Sequence, residues 1–177
     1  MKLTLRFFIP SLLAIAITGC PSHCPLGQEI VIPAADATDP TVVMDFHLPN
    51  GSIVTVTSTS APSTVPVPGG GRVTVMVNAK DSEGVRDSQI WAADIKYKID
   101  PNTGVTTQTG PGLLGAPTAS NRDNGTQGQK GCTERLATIN LDVSKSPTAA
   151  LSQEVHAVGV NFGGKSVSTP LVRLVAQ

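Results

Sequence analysis

Alternating hydrophobic and polar residues recur along the chain from position 41 onward, and a period of two is typical of β-strands with one buried face. The clearest alternation spans 89–100, where charged residues occupy one face and apolar residues the other. The apolar set, which we expect to lie in the core, comprises Trp91, Ala93, Ile95, Tyr97 and Ile99. Further strands are predicted at 41–48, 52–58, 72–80, 105–109, 134–144, 154–162 and 171–176.

The pattern has two further features near the C-terminal strands. In 154–162 the residues Val158, Val160 and Phe162 align on one face. The one weak helix candidate is 148–153, about one and a half turns. Short strands without a convincing amphipathic helix indicate an all-β protein, an antiparallel sandwich of seven to eight strands.

The connections between the strands are rich in turn residues. Asn50-Gly51 predicts a hairpin turn, and 61–71 predicts a Pro/Gly loop. The stretch 110–131 is rich in Gly, Asn, Gln and Thr and predicts a long loop. Long loops on a rigid sandwich are often recognition sites. This loop is the best candidate for recognition, and the alternative is a loop without a ligand.

The composition limits the classes of function. The full chain of 177 residues carries 13 basic and 13 acidic side chains, so no excess of positive charge is present to neutralise nucleic-acid phosphates. The length suits one domain with a small appendage. Aromatic residues make up only 3%, which leaves few platforms for stacking against sugars.

The first twenty residues have the organisation of an export signal. Lys2 and Arg6 precede an apolar run at 7–17, which is too short to span a bilayer as a helix. The run ends in Ile17-Thr18-Gly19-Cys20. This leader resembles the bacterial lipoprotein signal. The resemblance implies cleavage between Gly19 and Cys20 and a diacylglyceryl group on the Cys20 thiol. The alternative is an ordinary secretory leader with an unmodified Cys20.

The resemblance divides the chain into three parts. Residues 1–19 would be a cleaved signal peptide, 20–39 a Pro-rich tether and 40–177 the sandwich domain. Loss of the leader removes two basic residues and leaves the mature chain slightly acidic. Lipid on Cys20 would attach the protein to a membrane of the cell envelope. Pro21 rather than Asp follows Cys20, which favours the outer membrane where one is present.

The remaining cysteines are Cys24 and Cys132. An even pair in an exported protein predicts one disulfide, Cys24–Cys132. Two free thiols or an intermolecular bridge are the alternatives.

Two segments resemble bacterial immunoglobulin-like domains. The stretch 73–90 resembles the B–C region of that family, and 155–175 resembles its closing F–G hairpin. Trp91, early in the next strand, suits the core Trp of such sandwiches. The resemblance implies an immunoglobulin-like fold and no activity, because sandwiches host many functions.

No residue pattern predicts catalysis or a cofactor. His23, His47 and His156 are isolated from one another, and no Gly-x-Ser-x-Gly elbow is present. His23 next to Cys24 is too few ligands for zinc. Asp81, Glu83 and Asp87 could bind calcium through carboxylate oxygens, but we expect a solvated turn. We therefore expect no catalytic residues, no metal and no cofactor.

These observations predict a membrane-anchored, non-enzymatic binding module for a protein or an envelope glycan. A structural or assembly accessory of an envelope complex, which would use sheet edges, is the alternative. An enzyme whose site is assembled from loops is a third possibility.

Overall fold

The computed structural model describes residues 24–110 and 116–177. These residues contain no helix and form thirteen strands. The strands are β1 (Glu29–Val31), β2 (Thr41–His47), β3 (Ile53–Thr57), β4 (Ser63–Val67), β5 (Gly71–Lys80), β6 (Val85–Ile99), β7 (Thr106–Gln108), β8 (Ala119–Arg122), β9 (Lys130–Cys132), β10 (Glu134–Lys145), β11 (Ala149–Asn161), β12 (Ser166–Ser168) and β13 (Val172–Ala176). The all-β prediction is confirmed.

The first sheet has the strand order β3-β2-β5-β10, and all its pairs are antiparallel. Strand β5 pairs along its full length with β10, from Lys80 opposite Glu134 to Gly71 opposite Val143. The alternating residues of the sequence pattern alternate in burial as well: Val73, Val75 and Val77 of β5 are completely buried. This sheet follows from the period of two alone.

The second sheet is built around the antiparallel pair of β6 and β11, which runs over thirteen residue pairs. Strands β7 and β8 add to the free edge of β6, and β12 and β13 add to β11. The outermost strand, β4, runs parallel to β13. Strand β10 leaves the first sheet and pairs with the start of β11 at Ser144 opposite Leu151, which joins the two sheets at one corner.

The two sheets pack face to face around one apolar core. Its largest completely buried side chains from the first sheet include Phe46 and Met44, and those from the second include Ile90 and Leu174. Gly159 on β11 lies directly against the first sheet. A Cβ there would come within 2.6 Å of Val42 Cγ2 and 3.1 Å of the Ala79 Cβ. The close approach of the sheets therefore depends on this glycine.

The face of β6 that meets the core differs from the prediction. Ser88 donates its hydroxyl to the Val77 carbonyl on β5, and Ile90 belongs to the core cluster, so the even-numbered positions point between the sheets. Trp91 is half-buried on the outer side, stacked on His156 with ring centroids 5.8 Å apart. The prediction of a core Trp91 is wrong. Burial of Ala93 and Ile95 on the outer face produced the misleading pattern.

On β11 the aligned residues Val158 and Val160 lie on the face away from the central core, although Val160 is buried. The residues that enter the central core are Val155 and Ala157, whereas Val158 is only partly buried. Phe162 packs near Gly84 and Gly131, beside the small β1–β9 sheet. A register shift between Val160 and Asn161 accompanies this change of surroundings.

Three predicted connections contain strands. The helix candidate 148–153 is the start of β11, the predicted loop 61–71 contains β4, and the predicted loop 110–131 contains β8 and β9. In each case backbone pairing to an existing strand overrides weak local preference. Residues 111–115 lie outside the described residues.

Strand direction gives the domain two distinct ends. We call the end that carries Cys24, Lys80 and Val85 the cysteine end, and the opposite end, with Lys98 and Lys145, the lysine end. Eleven residue steps along β6 separate Asp87 from Lys98, a distance of roughly 35 Å at the usual strand rise.

Candidate functional site

The structure pairs Cys24 and Cys132 as predicted. Their sulfur atoms lie 2.01 Å apart and their Cα atoms 5.5 Å apart, which is disulfide geometry. The bond closes a separation of 108 residues. Residues 1–23 lie outside the described residues. Lipid on Cys20, cleavage after Gly19 and the surroundings of His23 therefore stay predictions.

The described part of the predicted 20–39 tether, from Cys24 to Asp39, contains a short strand and buried side chains. Strand β1 pairs with β9, and Ile32 is buried against this small sheet. Lys130 Nζ lies 2.7 Å from Glu29 Oε1 across the pair. The Pro content that suggested a tether instead accompanies an irregular segment packed on the domain.

Buried carboxylates cluster at the cysteine end. Thr38 Oγ1 lies 2.8 Å from Asp81 Oδ1 and 3.1 Å from Asp36 Oδ1, and both aspartates are buried. The Glu83 backbone N–H donates to Asp81 Oδ1 at 2.8 Å. The single Thr38 hydroxyl can donate to only one of the two carboxylates at a time. The other Thr38 contact is satisfied fully only if its carboxyl is protonated.

Burial raises the pKa of Asp36 above its usual value, and the nearby charge of Asp81 raises it further. A hydrogen bond with the Glu83 side chain acts in the same direction. The second carboxylate oxygens of Asp36 and Asp81 have no protein hydrogen-bond partner.

The segment that carries Asp36 is clamped to the end of β11. Asn161 Nδ2 donates to the Thr38 carbonyl at 2.6 Å, and Lys165 Nζ donates to the Ala37 carbonyl. Lys165 also lies 3.3 Å from Asp39 Oδ1. This end therefore combines a disulfide, a short sheet and side-chain clamps on the segment nearest the N-terminus.

A shallow groove of about 350 Å³ opens beside the clamp and is lined by Asp81, Thr133 and Glu134, among others. Lys80 Nζ lies 3.0 Å from Glu134 Oε1. Hydrogen bonding from the Asn78 amide, together with Lys80, lowers the pKa of Glu134. The one lysine of this groove is therefore already paired.

The three acids considered for calcium do not converge. Asp87 accepts a hydrogen bond from Gln89 at 2.7 Å on the outer face of the second sheet, away from the Thr38–Asp81 contact. Within the described ranges, no three His, Cys, Asp or Glu side chains are arranged to hold a metal ion. The solvated turn predicted for these residues is also wrong, because Asp81 and Asp87 are buried.

The stretch chosen for recognition is held firmly over its described part. Arg135 on β10 donates to the Val85 carbonyl at 2.9 Å, contacts Asn121 Oδ1 at 3.3 Å and forms an ion pair with Asp123. The side chains of Arg135 and Asp123 are only 11% and 12% exposed. Residues 119–132 are therefore part of the domain's framework, and they are a weaker candidate for an adaptable binding loop.

A polar row crosses the outer face of the second sheet. Trp91 Nε1 donates to Gln89 Oε1 at 3.0 Å, and Gln89 in turn donates to Asp87. His156 stacks on the Trp91 ring, and burial lowers the pKa of this histidine. The row gives Trp91 a satisfied N–H donor and keeps the imidazole neutral near pH 7.

In the described part of the chain, three grooves open at the lysine end, and the smallest, of about 390 Å³, is lined by Lys98 and Asp100 among others. Two larger grooves lie beside it. The larger, of about 490 Å³, is lined by Lys96, Lys98 and Lys145 together with hydroxyl side chains. The second, of about 430 Å³, is lined by Ile99, Arg173 and Val175 among others, and Tyr97 and Lys145 line both grooves. Among the described residues, neither of these two larger grooves is lined by a carboxylate.

Sequence reasoning missed these grooves because their parts are far apart in the chain. Lys96 and Lys98 were visible as the charged face of 89–100. Lys145 reaches them because β10 crosses to β11 at Ser144. The alternating lysines of one strand were the sequence signal for this groove. The crossing of β10 to β11, which completes the groove, leaves no signal in the sequence.

No protein-family model and no curated protein matches the chain. In residues 24–110 and 116–177 no helix is long and apolar enough to cross a bilayer. The features that bear on function lie at the two ends of the domain: the disulfide and clamped segment at the cysteine end and the grooves at the lysine end.

Proposed function

We propose that this chain is a lipid-anchored, non-enzymatic envelope protein whose domain binds a protein or an envelope glycan. The leader resembles a lipoprotein signal, and lipid on Cys20 would hold the mature protein at a bacterial membrane, the outer membrane where one is present. The domain carries the recognition surface.

The observation that carries the proposal is the disulfide close to the anchor. Only residues 21–23 separate Cys20 from Cys24, so their Cα atoms can be no more than about 14 Å apart. Cys24 is itself bonded to the folded body at Cys132. The anchored domain would stand directly on the membrane with its cysteine end, and its lysine end would face away.

We further propose that the sandwich is immunoglobulin-like. Its support is the pairing of β5 with β10 and of β11 with both β6 and β13, which match the B–E and C–F–G neighbours of that fold. Two features depart from the antibody pattern. Trp91 lies outside the core, and the disulfide joins the N-terminal segment to β9 and does not link the two sheets.

The anchoring is tested by mass spectrometry of the protein purified from membranes. We expect the mature N-terminus at Cys20 to carry the mass of a diacylglyceryl group, and the Cys20→Ser variant to remain an unprocessed precursor without lipid. Cys24→Ser is the matched control and should still be lipidated. A processed, lipid-free wild-type protein would contradict the proposal.

A second candidate is a structural or assembly subunit that uses its sheet edges. The favouring observation is β3, the outer strand of the first sheet, which exposes 58% of Ile53. Ile53→Lys would block addition of a partner strand there, whereas substitutions in the lysine-end grooves would not. Loss of complex formation with Ile53→Lys alone would favour this candidate.

A further inference from the structure

We propose that the lysine end binds a glycan segment that carries anionic groups, held by Lys96, Lys98 and Lys145. The inference rests on the proposed function, because it names the ligand class of the same anchored module. It depends on how the lysines of the domain are distributed between ion pairs and the grooves.

The described part of the chain contains six lysines, and they fall into two groups of three. Lys80, Lys130 and Lys165 lie at the cysteine end, and each forms an ion pair. The three at the lysine end form no ion pair within the described residues, and all three line one groove. Clustered positive charges without counter-ions repel one another and raise the local concentration of anions.

The backbone register places two of these lysines side by side. Lys96 and Lys98 are two positions apart on one face of β6, which separates them by roughly 7 Å. Lys145 is opposite Ala150, which is opposite Tyr97, so it belongs to the other face of the sheet and lines the groove from that side. A ligand with negative charges at the spacing of successive sugar units can therefore contact more than one lysine.

The rest of the groove suits a sugar better than a simple ion. Ser144, Ser146, Thr109 and Thr148 line it, and hydroxyl groups can donate to and accept from sugar hydroxyls. Tyr97, half-buried between the two grooves, offers an apolar ring surface. The groove volumes of about 490 and 430 Å³ lie in the usual range for small-ligand sites.

The headgroups of the anchoring membrane are the less suitable ligand. The grooves lie roughly 35 Å along β6 from the cysteine end. At physiological ionic strength, charge interactions are screened over about 8 Å. With the anchor at Cys20, the lysines would face the space beyond the membrane, where envelope glycans extend.

The test uses the mature protein in neutral detergent and measures its binding to a galacturonic acid hexamer by calorimetry. A neutral galactose hexamer and glycerol phosphate, a soluble stand-in for a phospholipid headgroup, are the competing probes. We expect the charged hexamer to bind at least tenfold more tightly than the neutral one at low salt, and its binding to weaken as salt is raised. Equal binding of both hexamers, or binding to glycerol phosphate alone, would overturn the proposal.

The triple variant Lys96→Gln/Lys98→Gln/Lys145→Gln locates the site. We expect it to lose at least tenfold in affinity for the charged hexamer. The control Lys80→Gln/Lys130→Gln/Lys165→Gln removes the same charge at the cysteine end and should stay within about threefold of wild type. Equal losses in both variants would show general charge attraction and overturn the site. Lys145→Gln alone, which leaves β6 unchanged, should still weaken binding if the triple variant proves unstable.

Failure of this inference can be told apart from failure of the anchoring. A lipidated protein that does not prefer the charged hexamer refutes the anionic-glycan site and keeps the anchored module. A protein without lipid on Cys20 that still binds through the three lysines refutes the anchor and keeps the site.

Discussion

At the cysteine end each lysine lies in an ion pair and Asp36 and Asp81 are buried, whereas at the lysine end three lysines line a groove that no carboxylate lines. The first arrangement uses charge to hold chain segments together. Arg135–Asp123 and the Lys165 contacts with the 36–39 segment are examples. The second arrangement leaves charge free for a ligand. The difference separates a stabilised end from the end that we propose for recognition.

The sharpest contrast between the ends lies in their arginine ion pairs. Arg135 and Asp123 are buried at the cysteine end, while Arg72 and Asp142 at the lysine end are 68% and 66% exposed. Arg135→Ala removes the ion pair of the buried Asp123 carboxylate and should lower the free energy of unfolding by about 3–5 kcal/mol. Arg72→Ala should cost no more than about 1 kcal/mol. Urea denaturation of both variants measures the difference, and similar losses would remove this part of the comparison.

Removal of the disulfide tests whether the N-terminal segment depends on it. Cys24→Ala/Cys132→Ala should lower the free energy of unfolding by about 2–4 kcal/mol, because the unfolded chain regains the freedom of a long loop. Hydrogen exchange should speed up first at β1 and β9, while β7 and the lysine-end grooves keep their protection. A uniform change over the whole domain would contradict a local role for the bond.

Substitutions at two neighbouring glycines distinguish the packing of the 36–39 segment from backbone strain in the turn. A Cβ on Gly163 would overlap the Asp36 carbonyl oxygen, whereas Gly164 has open space but a φ of +85°. Gly163→Ala should cost about 2 kcal/mol and displace the 36–39 segment. Gly164→Ala should cost about 1 kcal/mol from backbone strain alone. Thermal unfolding measures the loss of stability in each variant. A larger loss for Gly164→Ala would mean that the 36–39 segment moves aside at little cost.

The smallest effect concerns the buried acid. Because the folded protein raises the pKa of Asp36, its ionised form opposes folding at neutral pH, and this penalty disappears as the pH falls toward the unfolded value near 3.8. Asp36→Asn keeps an oxygen for Thr38 and removes the charge. The variant should be more stable than wild type at pH 7, and the advantage should shrink on acidification. Unfolding curves at several pH values check this, and a pH-independent difference would contradict it.

The sequence predicted most of the central strands because their alternation was regular. Strand β5 and strand β10 were placed within one residue of their observed bounds. Strands β4 and β8 escaped prediction because they are edge strands whose pairing is fixed by backbone bonds to β13 and β6. Pro66 within β4 also argued locally for a loop, although an edge strand tolerates it.

The site was harder to predict than the fold. The pairing of Cys24 with Cys132 could be inferred by counting cysteines. Trp91 was assigned to the wrong face because Ala93 and Ile95 are buried on the outer side as well, so alternation alone could not tell the two faces apart. The burial of Asp36 and the crossing of Lys145 toward Lys96 depend on tertiary contacts that carry no local pattern.

The central claim is that the cysteine end stands at the membrane and the lysine end faces away from it. Energy transfer from a fluorophore to acceptor headgroups measures this directly on the mature protein in vesicles. The labels are attached at Ser82→Cys, near the cysteine end, and at Asn102→Cys, in the exposed turn after β6. We expect strong transfer from position 82 and weak transfer from position 102, since roughly 35 Å separates the two ends. Equal transfer from both positions, or stronger transfer from position 102, would contradict the account.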